Sequence, residues 1–469
     1  MNTSSDETEK TPLSPSKGHD DSEIVTAEPP SKFEESENEK LMIENGIPAD
    51  KLNVVLFVMM LHGLGTLIAW NIFITIAPGY FQRYKLESAF HNVTNPDEKP
   101  IYPGYVQNFM NYVCICSQLP NLTVNAIGLF VDKGNLFIRI TVSLIVIICS
   151  CIFTIIFIFV DTSDWPFGFF MLTMITVIVL NSANGVYQNS IFGIVGSFPS
   201  KYINAVVLGN NICGLLVTLL LIATIKIFTG DEKTNAAVYF SIALCALIFC
   251  LASVFYLRKN HFYVHQIAIE RQSSKDRAVY SLKDYCKTFQ EYWLPLSNVW
   301  SVFFVTLFLF PSVLLNIHLY PEKRHNERDF DFFVDYNLYG ILFVFLNFNF
   351  FSCIGSKLAD FFTWPSPKYV AIPITLRWAF IPIFYLTNYN PGNKRIWGVY
   401  IENEYIVFVL IALMSISHGY YSSISMMYAP SGAEASKARI IGKMSAFFLV
   451  LGIFCGIGFS FLAEYPVQW

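Results

Sequence analysis

The sequence has little charge. Only 14% of its 469 residues are Asp, Glu, Lys or Arg, whereas a soluble domain usually carries about 25%. Hydrophobic residues make up 54% of the chain, and the 44 phenylalanines are especially abundant. This composition excludes an ordinary soluble domain and predicts an all-α polytopic membrane protein, with the lipid bilayer as a partner. The sequence also lacks a basic patch, so we expect no binding to nucleic acid.

The sequence lacks patterns that are typical of enzymes and of metal sites. It contains no H-E-x-x-H, G-x-S-x-G or P-loop motif, and we therefore expect neither catalysis nor a cofactor. None of the ten cysteines falls in a predicted exterior loop, so no structural disulfide is expected. Two C-x-C pairs occur, but residues two apart point to opposite sides of a helix, which argues against a metal site.

Residues 1–50 differ from the rest of the chain. They contain 13 acidic residues, four lysines and almost no aromatic residues. Such a segment cannot bury enough apolar surface to fold alone, which predicts a disordered acidic tail on the cytoplasmic side. Residues 51–469 are then predicted to form the transmembrane domain.

Eleven apolar segments are long enough to cross a bilayer, for which a helix needs about 20 residues. We predict spans at 52–79, 105–131, 137–160, 166–198, 203–228, 236–257, 295–319, 336–358, 369–388, 404–428 and 440–463. The longest internal connection, residues 258–294, is predicted to be an intracellular loop that divides six spans from five. This 6+5 arrangement is major-facilitator-like, and in such folds a substrate site lies between the two halves.

The distribution of Lys and Arg predicts a cytoplasmic N-terminus and an extracellular C-terminus. In that orientation the interior segments hold 20 basic residues and the exterior segments hold ten, a twofold bias in the expected direction. The loop after the first span contains Asn92-Val93-Thr94, a glycosylation pattern that would then lie outside. We expect the plasma membrane as the location, although an endosomal or lysosomal membrane stays open.

The fourth span carries amides where a lipid-facing helix would carry leucines. Asn181, Asn184 and Gln188 fall within about 60° of one another on a helix. Such a stripe must face other helices or a water-filled cavity, because it cannot face lipid without a large cost. This predicts a polar and uncharged solute. For Asn181 we expect a scaffold role, and for Gln188 an interhelical hydrogen bond is the alternative.

Four of the ionisable side chains within the predicted spans call for an interpretation. His62 and His418 could each shuttle a proton, but a neutral histidine bonded to a neighbouring helix is the more common arrangement. Arg377 is costly to bury, so we expect a structural contact with a polar group. Lys443 is expected to be a charge at the cytoplasmic end of its span that snorkels to the surface.

Several motifs occur in order and at matching spacing. They are Gly63–Asn71 in the first span, Gln188–Pro199 in the fourth, Gly209–Gly214 in the fifth, Phe348–Phe351 with Trp364-Pro365 in the eighth, and Ala446–Leu449 in the eleventh. Together they resemble the equilibrative nucleoside transporters. The resemblance runs from about Pro48 to the end of the chain and includes the eleven-span count.

The resemblance implies facilitative transport of nucleosides by alternating access. It also implies a central cavity lined by residues of the first, fourth, seventh and eighth spans: Leu67, Trp70, Gln188, Phe310 and Asn349. Asn184 matches a position that is implicated in selectivity, where the family often has Gly.

The eighth span departs from the family pattern. The family has an Asp and, four residues later, an Arg that both contact the nucleoside, and this chain has Ser352 and Ser356 there. We predict that the serines give the solute neutral hydrogen bonds without the bidentate reach of a charged pair. Weaker selection for ribose is then expected, and nucleobases become candidate substrates.

Carboxylates are missing from the middle of every predicted span. Asp132, Asp360, Glu402 and Glu404 lie at span ends, whereas ion-coupled carriers usually place an acid at depth. The absence predicts uncoupled transport. Three alternatives stay open: a membrane enzyme, a transport-degenerate receptor or scaffold, and a carrier of another small polar solute such as an organic cation. The oligomeric state is also left open by the sequence.

Overall fold

The computed structural model describes residues 48, 50–91, 102–130, 135–227, 231–275, 282–318, 339–391, 395–431, 433 and 435–468. Within these ranges the chain is helical, without a β-strand and with only two isolated bridges, Ile317 to Tyr389 and Thr387 to Ile401. The predicted all-α class is therefore confirmed. The predicted acidic tail, apart from Pro48 and Asp50, and the predicted glycosylation site Asn92 lie outside the described residues.

Twelve principal helices follow one another in the described ranges. They are α1 (Val54–Ile76), α2 (Phe109–Phe130), α3 (Leu136–Phe159), α4 (Pro166–Val195), α5 (Ser200–Ile227), α6 (Glu232–Leu257), α7 (His261–Lys275), α8 (Leu282–Leu309), α9 (Asn347–Phe361), α10 (Ala371–Tyr385), α11 (Glu404–Tyr428) and α12 (Ala435–Ser460). A π-helical stretch continues α1 (Ala77–Glu87) and another precedes α9 (Tyr339–Leu346). Short helical turns occur at Lys51–Asn53, Ser88–His91, Gly104–Gln107, Ser312–Leu315 and Tyr465–Gln468.

The predicted count of eleven spans is not confirmed. In the described part of the chain, ten helical segments are long and apolar enough to cross a membrane. The predicted span at 369–388 corresponds to the shorter α10, which is interrupted by a 3-10 turn at Arg377–Ala379. Pro373 and Pro382 each remove a backbone donor from this segment, which favours the interruption. Fifteen helical residues rise only about 22 Å, less than the hydrocarbon thickness of about 30 Å.

The predicted seventh span also begins at a different place. Helix α8 starts at Leu282, inside the connection predicted as a loop, and bends at Tyr292, whose φ and ψ are −111° and 18°. Pro295 explains the bend, since it cannot donate to the carbonyl one turn earlier. The apolar run that the prediction used marks only the part of α8 that follows the bend.

Glycines allow two pairs of helices to pack with their backbones in contact. A Cβ atom at Gly63 of α1 would overlap the Val206 carbonyl of α5, and one at Gly209 would overlap the Met60 carbonyl. In the other half, a Cβ at Gly419 of α11 would overlap the Ser352 carbonyl of α9. Such contacts leave no room for an added atom. Helices α1 and α5 therefore form one rigid pair, and α9 and α11 form another.

Contacts between the two halves run along two seams. Helix α5 of the first half packs against α9 and α11, and α12 of the second half packs against α2 and α4. The second seam is close at one end, where a Cβ at Gly442 of α12 would overlap the Phe192 carbonyl of α4. The site residues predicted from the sequence are divided between the halves that meet at these seams.

Candidate functional site

The amide stripe of α4 is buried inside the bundle. The side chains of Asn181, Asn184 and Gln188 are 2%, 5% and 2% exposed. Asn181 Nδ2 donates to the Val177 carbonyl of its own helix over 2.9 Å, which suits a scaffold role. Within the described residues, no hydrogen bond engages the side-chain amide of Asn184 or Gln188. These two amides, one helical turn apart, are free to bind a polar solute.

The predicted residues of α1 are half-buried. Leu67 and Trp70 pack against the large apolar cluster of the bundle. The Trp70 ring stacks on Phe73, with ring centroids 6.1 Å apart and planes that differ by 10°. Phe73 is fully buried and so fixes the indole in one orientation. An indole held in this way can stack on a flat aromatic solute with its remaining surface.

His62 is hydrogen-bonded to neighbouring helices, the kind of contact that the sequence favoured, through partners that the sequence did not identify. Its Nδ1 lies 2.6 Å from the Tyr187 hydroxyl, and its Nε2 lies 3.2 Å from the Ser253 hydroxyl. Both ring nitrogens are therefore occupied by neutral hydroxyls on α4 and α6. The network joins three helices of the same half, so His62 acts as an interhelical connection in this conformation.

Arg377 forms the corresponding polar centre of the second half. It is 2% exposed, and its guanidinium donates to neutral groups: Nε to Ser417 Oγ at 3.0 Å, Nη1 to the Val302 carbonyl at 2.9 Å and Nη2 to Thr306 Oγ1 at 2.7 Å. Thr306 Oγ1 also lies 3.0 Å from His418 Nδ1. Hydrogen bonds thus satisfy the buried cation without a carboxylate among the described residues.

Phe310 follows directly after α8 and makes a close aromatic pair. Its ring stacks on Phe348 of α9, with centroids 3.9 Å apart and planes that differ by 16°. The Phe348 ring lies 5.5 Å from the His418 ring. The pair therefore rests on the polar centre around Arg377, and Phe310 itself is half-buried.

Asn349 contacts the opposite half of the molecule. Its Nδ2 donates to Thr218 Oγ1 of α5 over 3.1 Å and to the Phe345 carbonyl over 3.0 Å. A Cβ atom at Gly214 of α5 would overlap the Asn349 amide oxygen, so a larger residue there would displace this side chain from its present position. Asn349 is therefore a contact between α5 and α9 in this conformation.

Ser352 and Ser356 are fully buried and are held by one amide. Ser352 Oγ donates to Asn211 Oδ1 of α5 over 3.1 Å, and Asn211 Nδ2 donates to Ser356 Oγ over 2.6 Å. Ser356 Oγ donates onward to the Gly419 carbonyl of α11 over 3.1 Å. The two positions at which the family resemblance expects a charged pair thus carry an uncharged contact across the seam.

These contacts form a ladder along the α5–α9 seam. On α5 the participating residues are Asn204, Asn211 and Thr218, and on α9 they are Asn349, Ser352, Ser356 and Asp360. At the Asn204 end, Asn204 Nδ2 donates to Asp360 Oδ1 over 2.5 Å and to the Ser356 carbonyl over 3.2 Å. The spacing of seven along α5 returns to nearly the same face every two turns. That spacing is visible in the sequence, but its partners on α9 are not.

The expectation for Lys443 was wrong. The residue is 1% exposed, and its aliphatic stem passes Gly193 of α4, where an added Cβ would lie 3.2 Å from Lys443 Cγ. Helix α12 begins at Ala435, so Lys443 lies two turns inside the helix and cannot extend past its end. In the described part of the chain, the fully or nearly buried charges are Lys85, Arg377 and Lys443, and no Asp or Glu is buried.

Two apolar grooves contain none of the predicted site residues. One, of about 660 Å³, is lined by Phe159 of α3 and by α6 residues from Lys233 to Cys245. The other, of about 530 Å³, is lined mainly by apolar residues of α1, α5 and α6. Neither offers the polar groups that the amide stripe supplies. Among the described residues, no group of three or more His, Cys, Asp or Glu side chains could hold a metal ion.

The predicted site residues therefore fall into two sets. Leu67, Trp70, Asn184 and Gln188 belong to the first half, and Phe310, Asn349, Ser352 and Ser356 belong to the second. Within the described residues, no hydrogen bond joins the free amides of α4 to the serines of α9. The structure instead brings Asn211 to the serines. Hydrophobic periodicity could not reveal this partner, because Asn211 precedes Ser352 by 141 residues and Ser356 by 145.

Comparisons with known proteins agree with this architecture. A model of the nucleoside transporter family matches residues 174–465. Equilibrative nucleoside transporter 2 of Rattus norvegicus is 27% identical over 467 residues, which cover 90% of this chain and 99% of the relative. Equilibrative nucleoside transporter 1 of Homo sapiens is 26% identical over 461 residues, which cover 88% and 98%.

A solved structure shares the fold. The human organic anion transporter MFSD10 (TETRAN) superposes with a TM-score of 0.52 at 13% identity, and the match covers 88% of this chain and 94% of that chain. This likeness concerns the fold alone and supports a major-facilitator-like fold, without confirming the predicted division into six and five spans. The family model matches more than half of the sequence. The members of this family are passive transporters, not enzymes. The chain is therefore an integral membrane protein that belongs to the nucleoside transporter family.

Proposed function

We propose that the protein carries nucleosides across a membrane by facilitative transport, with nucleobases as further substrates. The observation that carries the proposal is the pair of buried, unengaged amides at Asn184 and Gln188. A primary amide offers a donor and an acceptor in one plane, which matches the paired groups on the edge of a nucleobase. In a member of this family, these amides are the groups best suited to recognise the base.

Aromatic residues on both sides support the same proposal. Trp70 of the first half and Phe310 of the second are half-buried, and each is held by a neighbouring ring. Stacking of a base on an aromatic side chain contributes about 1–3 kcal/mol in nucleic-acid complexes and tolerates different bases. Leu67 and Asn349 would complete the lining. A site of this kind accepts purines and pyrimidines.

The packing of the two halves supports alternating access. The α1–α5 and α9–α11 pairs are in backbone contact and cannot slide without overlap. Side-chain hydrogen bonds connect α5 to α9, and these can break and re-form. The backbone contact between α4 and α12 at Gly442 also joins the halves, and it would have to open when they rock. The halves would therefore rock as rigid bodies around a solute held between them.

Uncoupled transport is supported by the charges in the bundle. The described residues include no buried carboxylate that could take up a proton or sodium ion. His62 and His418 each contact neutral hydroxyls, and in His62 both nitrogens are occupied. We further propose the plasma membrane as the location, with the N-terminus in the cytoplasm and the C-terminus outside.

The experiment is uptake of radiolabelled uridine, adenosine and hypoxanthine into proteoliposomes that contain the purified full-length chain. We expect saturable uptake of the nucleosides that equilibrates without accumulation, also when a pH gradient is imposed. Accumulation driven by the gradient would contradict uncoupled transport. Saturable uptake of none of the three would reject the proposed substrates, and ligand-dependent thermal stabilisation without uptake would favour a receptor.

A further inference from the structure

Asn211 lies within the Gly209–Gly214 motif of α5 and was not among the predicted site residues. Its amide oxygen accepts from Ser352 over 3.1 Å, and its amide nitrogen donates to Ser356 over 2.6 Å. The serines lie one helical turn apart, so that both hydroxyls face α5 together. Asn211 is half-buried, whereas both serines are fully buried beneath it. One amide therefore covers and occupies both hydroxyls.

The contact crosses between two bodies that are each internally rigid. Asn211 lies on α5, which is in backbone contact with α1, and the serines lie on α9, which is in backbone contact with α11. The neighbouring Asn210 behaves differently, since its amide oxygen accepts from Thr66 of α1 within the same half, over 3.0 Å. Rocking of the halves must break the Asn211 contacts and leaves the Asn210 contact intact.

The serines lie at about the depth of the predicted base-binding amides. Asn211 is eleven residues from the first residue of α5, and Asn184 is eleven residues from the last residue of α4. These two helix ends are joined by a connection of only four residues, 196–199. Each side chain is thus about 16 Å along its helix from the same end of the bundle. A solute bound at Asn184 is therefore level with the two hydroxyls.

We propose that Asn211 is a latch whose place on Ser352 and Ser356 is taken over by the solute during transport. The inference rests on the proposed function. Buried hydroxyls that lose a partner are costly unless another group replaces it. A solute that carries hydroxyls or ring nitrogens supplies that replacement. It therefore binds the opened seam more tightly than the closed one, and this difference in affinity shifts the equilibrium towards opening. The empty carrier has no replacement and opens more slowly.

The first test compares two rates of uridine uptake in proteoliposomes. Uptake of labelled uridine into vesicles preloaded with unlabelled uridine requires only the return of the loaded carrier, whereas uptake into empty vesicles requires the return of the empty carrier. For the unaltered protein we expect the preloaded rate to exceed the empty rate. In Asn211→Ala we expect the ratio to fall at least twofold towards one, because the empty carrier no longer has a latch to break.

Asn210→Ala is the matched control. It removes the same side chain from the adjacent position of the same helix, but its hydrogen bond stays within one half. The ratio should keep its original value in this variant. An unchanged ratio in Asn211→Ala, an equal fall in both variants, or a ratio of one in the unaltered protein would each overturn the latch. Absence of any saturable nucleoside uptake would instead reject the proposed function.

A second test does not depend on the stability of the alanine variant. Asn211→Cys combined with Ser356→Cys introduces thiols at two positions whose side chains contact each other, with Asn211 Nδ2 2.6 Å from Ser356 Oγ. Oxidation should cross-link the pair and lower uridine uptake below that of the same double variant kept reduced. A reductant should return uptake to that reduced level, and uridine present during oxidation should slow the cross-linking. The two single cysteine variants control for the native cysteines. Failure to cross-link, full uptake by the cross-linked protein, or no protection by uridine would contradict the proposal.

Discussion

Gln188 combines nearly complete burial with a side-chain amide that has no hydrogen-bond partner among the described residues. It is 2% exposed, and no hydrogen bond within the described residues engages its amide. A buried amide normally has a partner, because an unsatisfied one costs about 1–3 kcal/mol. We expect the solute, or water in its absence, to supply that partner. Asn184, one turn away on the same face, is in the same situation.

The first prediction concerns the Gln188→Met variant. The substitution preserves volume and removes both hydrogen-bonding groups, so KM for uridine should rise about tenfold, equivalent to about 1.4 kcal/mol. Thermal stability should not fall, because the amide has no hydrogen-bond partner among the described residues. The measurements are the concentration dependence of uptake and the melting of the purified protein. An unchanged KM together with a lowered melting temperature would identify Gln188 as a structural residue.

Asn181→Ala provides the comparison at the other end of the stripe. Asn181 Nδ2 donates to the Val177 carbonyl of its own helix, so we expect KM to change by less than about twofold. The sequence predicted this distinction from position alone, since Asn181 lies two turns from Gln188. Side-chain partners such as Tyr187 for His62 could not be predicted, because they depend on which helices become neighbours.

Among the elements, apolar length predicted most of the helices. The predicted spans overlap α1–α6, α8–α12 and their π-helical extensions, since each needs a long run of apolar residues to contact lipid. The count failed at α10, where two prolines interrupt the helix, and the start of α8 was placed too late because its first turns are polar. Contacts across the α5–α9 seam could not be predicted from the sequence, because seven-residue spacing on α5 does not identify the helix that it contacts.

The second prediction concerns the packing of α9 against α11. A Cβ atom in Gly419→Ala would overlap the Ser352 carbonyl, and a backbone atom cannot move aside as a flexible side chain can. Overpacking of this kind costs about 1–3 kcal/mol. We expect a melting temperature several degrees lower in detergent and reduced uptake. Gly458→Ala in α12 is the control, because a Cβ there would meet nothing within 4 Å. Equal melting of the two variants would show that α9 and α11 are not locked together.

At the scale of the whole molecule, the sign of the buried charge bears on the choice of solute. Arg377 is 2% exposed and donates only to neutral groups, and no carboxylate among the described residues is buried. In a medium of low dielectric constant, charges of the same sign repel strongly. The third prediction is that tetraethylammonium, a permanent organic cation, is not taken up saturably and does not compete with uridine. Competition at concentrations near the uridine KM would revive the organic-cation alternative.

The fourth prediction concerns the orientation of the protein in the membrane. With the N-terminus in the cytoplasm, Asn92 would be exposed outside and available for glycosylation. Treatment of the protein from cultured cells with an N-glycosidase should increase its electrophoretic mobility, and the Asn92→Gln variant should already show that mobility. A native protein that the glycosidase does not shift would remove this support for the orientation.

The seven-residue ladder also determines how far each contact moves when the halves rock. Each step along α5 rises about 10.5 Å, so Asn204 lies about 21 Å from Thr218. If the Thr218–Asn349 pair is the pivot, a rotation of about 10° would separate the Asn204 partners by about 4 Å and the Asn211 partners by about 2 Å. The partners in each contact then separate in proportion to their distance from the pivot. The seam would open from the Asn204 end, and the Asn211 contact would be the last to break before the pivot.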